Sequence, residues 1–143
     1  MKLKAIILVL VALVVLGLLI QLIPLPARGN NPPVVSEPPW DTPQTRALAQ
    51  RACFDCHSNE TVWPWYSYVA PVSWLVYNDT MGGRRELNFS EWNTGRPREL
   101  GEISGKVQDG EMPPAIYLLT HPEARLSAAE KQQLITGLQN SLK

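Results

Sequence analysis

The chain is short of the residues that hold metals and disulfides: two cysteines, Cys53 and Cys56, and two histidines, His57 and His121, in 143 residues. A structural zinc site needs about four such ligands in paired clusters, and here His121 is distant from the other three, so that reading lacks a part. A basic surplus is missing as well, since Lys and Arg together number 13 and Asp and Glu 13. Setting aside Lys2 and Lys4 leaves 11 basic against 13 acidic residues, a net of −2. With no basic patch to meet a polyanion, nucleic acid is not an expected partner. Alternating strand patterns and internal repeats are absent, which removes the βαβ setting of a thioredoxin-type dithiol. No constellation of acid, base and nucleophile stands out, so the chain is not expected to be an enzyme.

What the sequence has, first, is a long apolar run. Ala5 to Ile23 is apolar except at Gly17 and Gln21, close to the ~20 residues that a helix needs to cross a hydrocarbon core. Lys2 and Lys4 precede it, which puts the N-terminus inside and the rest outside. A cleaved signal would have an apolar stretch of about 7–15 residues and a small-x-small site, whereas this run ends in QLIPLPARG. Residues 1–23 therefore read as an uncleaved, single-pass membrane anchor.

Seven prolines fall between Pro24 and Pro43, so residues 24–41 read as an extended spacer, either a tether or a strip packed along a partner. Residues 42–143 read as a helical domain. Thr42 caps a helix with Pro43 in its first position. A second helix is expected from Pro71 to Met81, stopped by Gly82-Gly83, and a third from Pro97 through Leu100, Ile103 and Val107 to Gly110. Ser127-x-x-Glu130 is a capping box before Leu134, Ile135 and Leu138. The expected fold class is all-α: one N-terminal transmembrane helix, then a small helical domain with long loops. A domain of that size with so much loop needs a staple or cofactor at its centre.

Cys53-Phe54-Asp55-Cys56-His57 has the C-x-x-C-H spacing of covalent haem attachment. Two intervening residues put both sulfurs on one side of a helical turn, where each can join a haem vinyl group, and the next residue, His57, falls under the iron. A plain disulfide accounts for both cysteines but leaves His57 without a role. A second axial ligand would come from Met or His. Met112, in the proline-stiffened Gly110-Glu111-Met112-Pro113-Pro114, is the favoured candidate; His121 is the alternative, and an open site is the third case. Met81 reads as a packing residue.

GEMPP after a helix resembles the distal-methionine loop of class I cytochromes c. More specifically, CFDCHSNET, WPWYS, APVSW, LNFSEW and GEMPPAIYLLTHPEARLS together resemble the bacterial haem-binding domain family of membrane-anchored c-type cytochromes, over most of Pro38 to Leu142. The resemblance implies one haem c on Cys53 and Cys56, with His57 proximal and Met112 distal as the iron ligands, in a cytochrome c-like domain outside the bacterial cytoplasmic membrane. The departure from a typical cytochrome c is a long insert between Trp63 and Trp92. Trp63 and Trp65, with Tyr66, Trp74 and Trp92, are candidate walls for a flat ring. Arg84 and Arg85 are candidate donors to haem propionates, and Pro64 or Pro71 a candidate carbonyl for the His57 ring N–H. The expected function is single-electron transfer on the periplasmic side, with redox proteins as partners, either alone or as a subunit of a respiratory or photosynthetic complex. A gas- or peroxide-binding sensor is the alternative.

Overall fold

The computed structural model describes residues 2–24, 29–94 and 100–141. Its elements are α1 (Lys2–Ile20), α2 (Pro43–Ala52), α3 (Phe54–His57), α4 (Val72–Glu86), α5 (Leu100–Gln108), α6 (Tyr117–Thr120) and α7 (Ala128–Ser141), with single 3₁₀ turns at Trp65–Tyr68 and Pro122–Ala124. The protein is all-helical. Among the described residues the only extended pairing is one isolated parallel bridge, Ser36 with Glu91.

The chain divides into two units, one of Met1–Asn30 with Trp63–Asp79 and one of Asn31–Val62 with Thr80–Lys143. In the first, α1 is apolar enough to cross a membrane, with mean hydropathy 3.1 and no buried residue. The helix stops at Ile20, short of Ile23. Its end is tied to the second stretch of the unit by Gln21. The Gln21 amide donates to the Ala70 carbonyl at 3.1 Å and accepts from the Ala70 N–H at 2.9 Å.

The second unit is built on α2, α5 and α7. Leu48 and Ala49 of α2, Val107 of α5, and Leu134, Ile135 and Leu138 of α7 form its core with Phe54 and Phe89. Full burial of a Leu or Phe side chain contributes about 1.5–3 kcal/mol, so these faces hold the three helices together. The helix starts follow the local chemistry. Thr42 Oγ1 accepts from the Thr45 N–H at 3.1 Å with Pro43 in the first turn. Ser127 and Glu130 close a reciprocal box, with Ser127 N–H to Glu130 Oε2 at 2.8 Å and Glu130 N–H to Ser127 Oγ at 3.3 Å. The expected start of the third helix, Pro97, lies outside the described residues; the helix ends at Gln108, before Gly110 at φ +75°.

Two expectations are corrected. Gly82-Gly83 does not stop α4, which continues to Glu86. The proline-rich segment is not a free tether over its whole length, because from Asn31 onward it lies on the second unit. Val35 N–H and Ser36 N–H donate to the Ser90 carbonyl at 2.8 and 3.1 Å, and Trp92 N–H donates to the Ser36 carbonyl at 3.0 Å. Trp40 completes the attachment by packing its ring on Phe89 and Phe54 at 5.4 and 6.2 Å. Prolines there remove backbone donors, yet the remaining N–H groups suffice for docking.

Candidate cofactor site

Cys53 is the joint between two helices. Its N–H closes α2 on the Ala49 carbonyl at 2.8 Å, and its own carbonyl accepts from Cys56 N–H at 3.2 Å and His57 N–H at 2.9 Å. One tight turn therefore carries both cysteines and the histidine. The two cysteines are not joined in a disulfide. Burial, with a smaller push from Cys56, drives the Cys53 thiol up to about 12. A nucleophilic redox cysteine calls for the opposite shift.

The His57 ring is oriented by the end of α4. Its Nδ1 lies 3.0 Å from the Gly83 carbonyl and 3.2 Å from the Leu87 carbonyl. Carbonyls only accept, so Nδ1 carries a proton, and in the neutral ring Nε2 is then the nitrogen with the lone pair that an iron ligand requires. These acceptors take the role expected of Pro64 or Pro71. Gly83 also explains why α4 has glycine at this point: a Cβ there would overlap the Cys56 carbonyl. The glycine is a point of close approach between α4 and α3.

Asp55, inside the cysteine motif, holds α3 from the other side. Its Oδ1 accepts from Val62 N–H at 2.9 Å, its Oδ2 from the Tyr117 hydroxyl at 2.8 Å, and its carbonyl from Thr61 Oγ1 at 2.8 Å. Burial, then the Asp55 charge, raises the Tyr117 phenol well above its ordinary value, so it stays a donor. His121 belongs to this cluster. Its ring stacks on Tyr117 at 4.0 Å, its Nδ1 sits 3.1 Å from the Tyr117 carbonyl, and its Nε2 is 4.0 Å from Asp55 Oδ2. Met112 is differently placed. It follows α5 in the same unit, its N–H bonded to the Lys106 carbonyl at 3.1 Å, and it is 36 % exposed.

Comparison with known families now bears on this geometry. The chain matches the model of the haem-binding domain family over residues 15–140. It belongs to that family. No curated protein and no solved structure matches the chain. The side chains fit the family's cofactor: two cysteines not joined in a disulfide and an imidazole whose Nδ1 is turned to carbonyls share one turn, and a partly exposed methionine lies elsewhere in the same unit.

The remaining candidates separate. Arg84 lies beside the motif, but its guanidinium straps the turn after α3: Nε donates to the Ser58 carbonyl at 2.8 Å, and one terminal nitrogen donates to Asn31 Oδ1 and Thr61 Oγ1, each at 2.9 Å. Its pKa is lowered by burial, against the pull of Glu91 and Cys56. Trp92, a candidate ring wall in the haem-binding domain, stacks instead on Phe89 at 6.1 Å and joins the core. Trp63 and Trp65 fall in the first unit. Sequence reasoning missed Trp40 and Glu37. Glu37 accepts from Trp40 Nε1 at 2.6 Å and pairs with Arg46 through two bonds of 2.6 and 2.7 Å. The Arg46 bond, ahead of other causes, lowers the pKa of Glu37. An aromatic just ahead of a helix cap was the available signal, because apolar residues there often pack back onto the first turns.

Proposed function

We propose that this protein is a membrane-anchored c-type cytochrome with one haem bound through Cys53 and Cys56, that it transfers single electrons outside a bacterial cytoplasmic membrane, and that it is not an enzyme. The observation that carries the reading is His57, its Nδ1 held against two carbonyls, on the same turn as two cysteines that are not joined in a disulfide, in a chain of the haem-binding domain family. When bound, the haem iron supplies one-electron chemistry. The chain supplies the rest. Cys53 and Cys56 fix the group covalently, His57 Nε2 offers the proximal ligand, and Asp55, Gly83 and Arg84 hold that turn in shape. Met112 is the distal ligand in this reading. The 36 % exposure of Met112 supports the choice over His121, whose ring is stacked on Tyr117 with its Nε2 4.0 Å from the Asp55 carboxylate. A thioether ligand favours the reduced state. Electron delivery then depends on a docking partner, a redox protein or the remainder of a larger membrane complex.

The test is optical. Full-length protein, produced with a haem-attachment system, is compared as wild type, Met112→Ala and His121→Ala, oxidised and reduced, with and without carbon monoxide. The proposal expects haem that stays with the chain after denaturation, no ready carbon monoxide binding by wild type or His121→Ala, and ready binding by Met112→Ala. Carbon monoxide binding by the wild type would overturn the closed electron carrier in favour of a gas-binding module. A site opened only by His121→Ala would overturn the assignment of Met112.

A further inference from the structure

The insert after Trp63 does not use its aromatic residues as a core. Trp65 is 77 % exposed, and Tyr68, Val69, Val72 and Leu75 are exposed with it. From Thr61 to Asn78 the sequence holds no charged residue, while it holds Trp63, Trp65, Tyr66, Tyr68, Trp74 and Tyr77. Uncharged, aromatic-rich and exposed is a poor recipe for a surface in water. It is the composition found at membrane–water interfaces, where the amphipathic rings of Trp and Tyr sit at headgroup level.

The position of the insert agrees with its composition. It belongs to the same unit as α1, and Gln21, one residue past the end of α1, clasps both the N–H and the carbonyl of Ala70. At about 1.5 Å per residue the 19 residues of α1 extend about 28 Å, close to the roughly 30 Å of a hydrocarbon core. A spanning α1 therefore brings Gln21, and Ala70 with it, to the outer headgroup layer. The clasp also accounts for a glutamine at the end of an apolar run, because its amide is satisfied by backbone partners instead of being left bare. Val72 and Leu75, three apart in the first turns of α4, lie on one helical face, and Trp65 and Tyr68 border the same stretch.

We infer that residues 63–79 form an interfacial platform that rests in the headgroup region of the lipid bilayer, held at the outer end of α1 by the Gln21–Ala70 pair. The inference rests on the reading of α1 as a membrane anchor. The platform gives the chain a second attachment besides the spanning helix, and it restricts how the segment after the cysteine motif can turn relative to the bilayer.

Photocrosslinking separates the possibilities. The full-length, haem-loaded chain is reconstituted in nanodiscs of dioleoylphosphatidylcholine, with Trp65→p-benzoylphenylalanine as the probe. Val14→p-benzoylphenylalanine serves as the control within α1, and Thr136→p-benzoylphenylalanine, on an exposed position of α7, as the control outside the membrane. Intact-mass measurement after irradiation reads addition of one lipid. The expected result is a lipid adduct at positions 14 and 65 and none at 136. An adduct at 14 without one at 65 overturns the platform while leaving the anchor in place. No adduct at 14 removes the anchor reading and the inference with it. Gln21→Leu, added to the position-65 probe, is expected to lower the lipid adduct there while the adduct at 14 persists; an undiminished yield at 65 would overturn the role given to Gln21.

Discussion

The adjacent glycines of α4 give opposite expectations for one substitution. A Cβ on Gly82 meets nothing nearer than the Arg85 guanidinium at 3.8 Å, an ordinary contact with the tip of a flexible side chain. Gly82→Ala therefore keeps the gain from replacing Gly inside a helix, about 1 kcal/mol. A Cβ on Gly83 runs into the Cys56 carbonyl. That carbonyl cannot rotate aside, because the backbone of the turn is pinned by the Cys56 and His57 N–H bonds to the Cys53 carbonyl. Relief requires α4 to move off α3, which stretches the 3.0 Å bond from His57 Nδ1 to the Gly83 carbonyl. Overpacking costs about 1–3 kcal/mol, and a backbone obstacle places this case in the upper half. The weakened hydrogen bond adds about 1 kcal/mol, and the helix-propensity gain offsets about as much. The net loss for Gly83→Ala is about 2–3 kcal/mol. At about 4–8 °C per kcal/mol for a domain of this size, its melting temperature falls by about 8–24 °C, whereas that of Gly82→Ala rises by about 4–8 °C. Circular dichroism melts of the haem-loaded full chain in detergent, run in parallel, decide the matter. Shifts of the same sign, or a Gly83→Ala protein that melts with the wild type, would refute the close approach of α4 to the cysteine motif.

Three further outcomes follow from the same geometry. Gly137→Ala drives a methyl into the side chain of buried Thr45 and should lose about 1–3 kcal/mol in urea unfolding; adding Thr45→Ala, which removes two of the three crowded atoms, should recover part of it, and losses that simply add would contradict the contact. Asp55→Asn leaves one acceptor where Val62 N–H and the Tyr117 hydroxyl now use two, so it should cost about 1–3 kcal/mol, with Tyr117→Phe causing little further loss in that background. The Glu130 carboxyl is held down to about 2 by the Ser127 N–H, then by Arg51 and the Ser127 hydroxyl. Because its folded pKa lies below the unfolded value, its contribution is complete above the ordinary carboxylate range and fades as pH falls toward about 2. The unfolding midpoint of wild type should exceed that of Glu130→Gln at neutral pH and converge with it in acid; a gap that does not change with pH would refute the assignment.

The features readable in the sequence are those whose cause is local. Thr42 with Pro43, and Ser127 with Glu130, work within one turn, and spacing alone reveals them. The gathering of Cys53, Cys56 and His57 on one turn is legible for the same reason, since it depends on spacing alone. Misreadings arise where a residue's role depends on something distant in the chain. Proline density suggests a spacer, but whether that segment stays free depends on Trp40 finding Phe89 and on Ser90 offering its carbonyl. Arg84 has the right charge for a propionate, and what its spacing could not show is that the turn from Ser58 to Thr61 uses its Nε and one terminal nitrogen. Trp92 is a flat ring in a haem protein, but Phe89, three residues earlier, already supplies a stacking partner.

Gly82-Gly83 is the most instructive case, because the local rule and the tertiary requirement use the same residue. Glycine ends helices by taking a left-handed conformation after the last turn, and that rule predicts a stop at Met81. In α4 neither glycine has positive φ; Gly83 serves through its missing side chain, which lets the helix pass over Cys56. Only by passing does α4 bring its last turn to His57. The Gly83 carbonyl accepts from Leu87 N–H at 2.8 Å as well as lying 3.0 Å from His57 Nδ1, and the Leu87 carbonyl just beyond the helix lies 3.2 Å from the same nitrogen. Carbonyls at a helix C-terminus carry the negative end of the helix dipole, and each has a second lone pair that can accept a further donor. A ring N–H bonded there makes the opposite nitrogen a stronger donor to a metal. A helix that ended at Met81 would leave His57 without these acceptors. The continuation of α4 through two glycines is thus part of what orients the His57 ring, and it places the origin of that orientation some twenty-five residues from the cysteine motif itself.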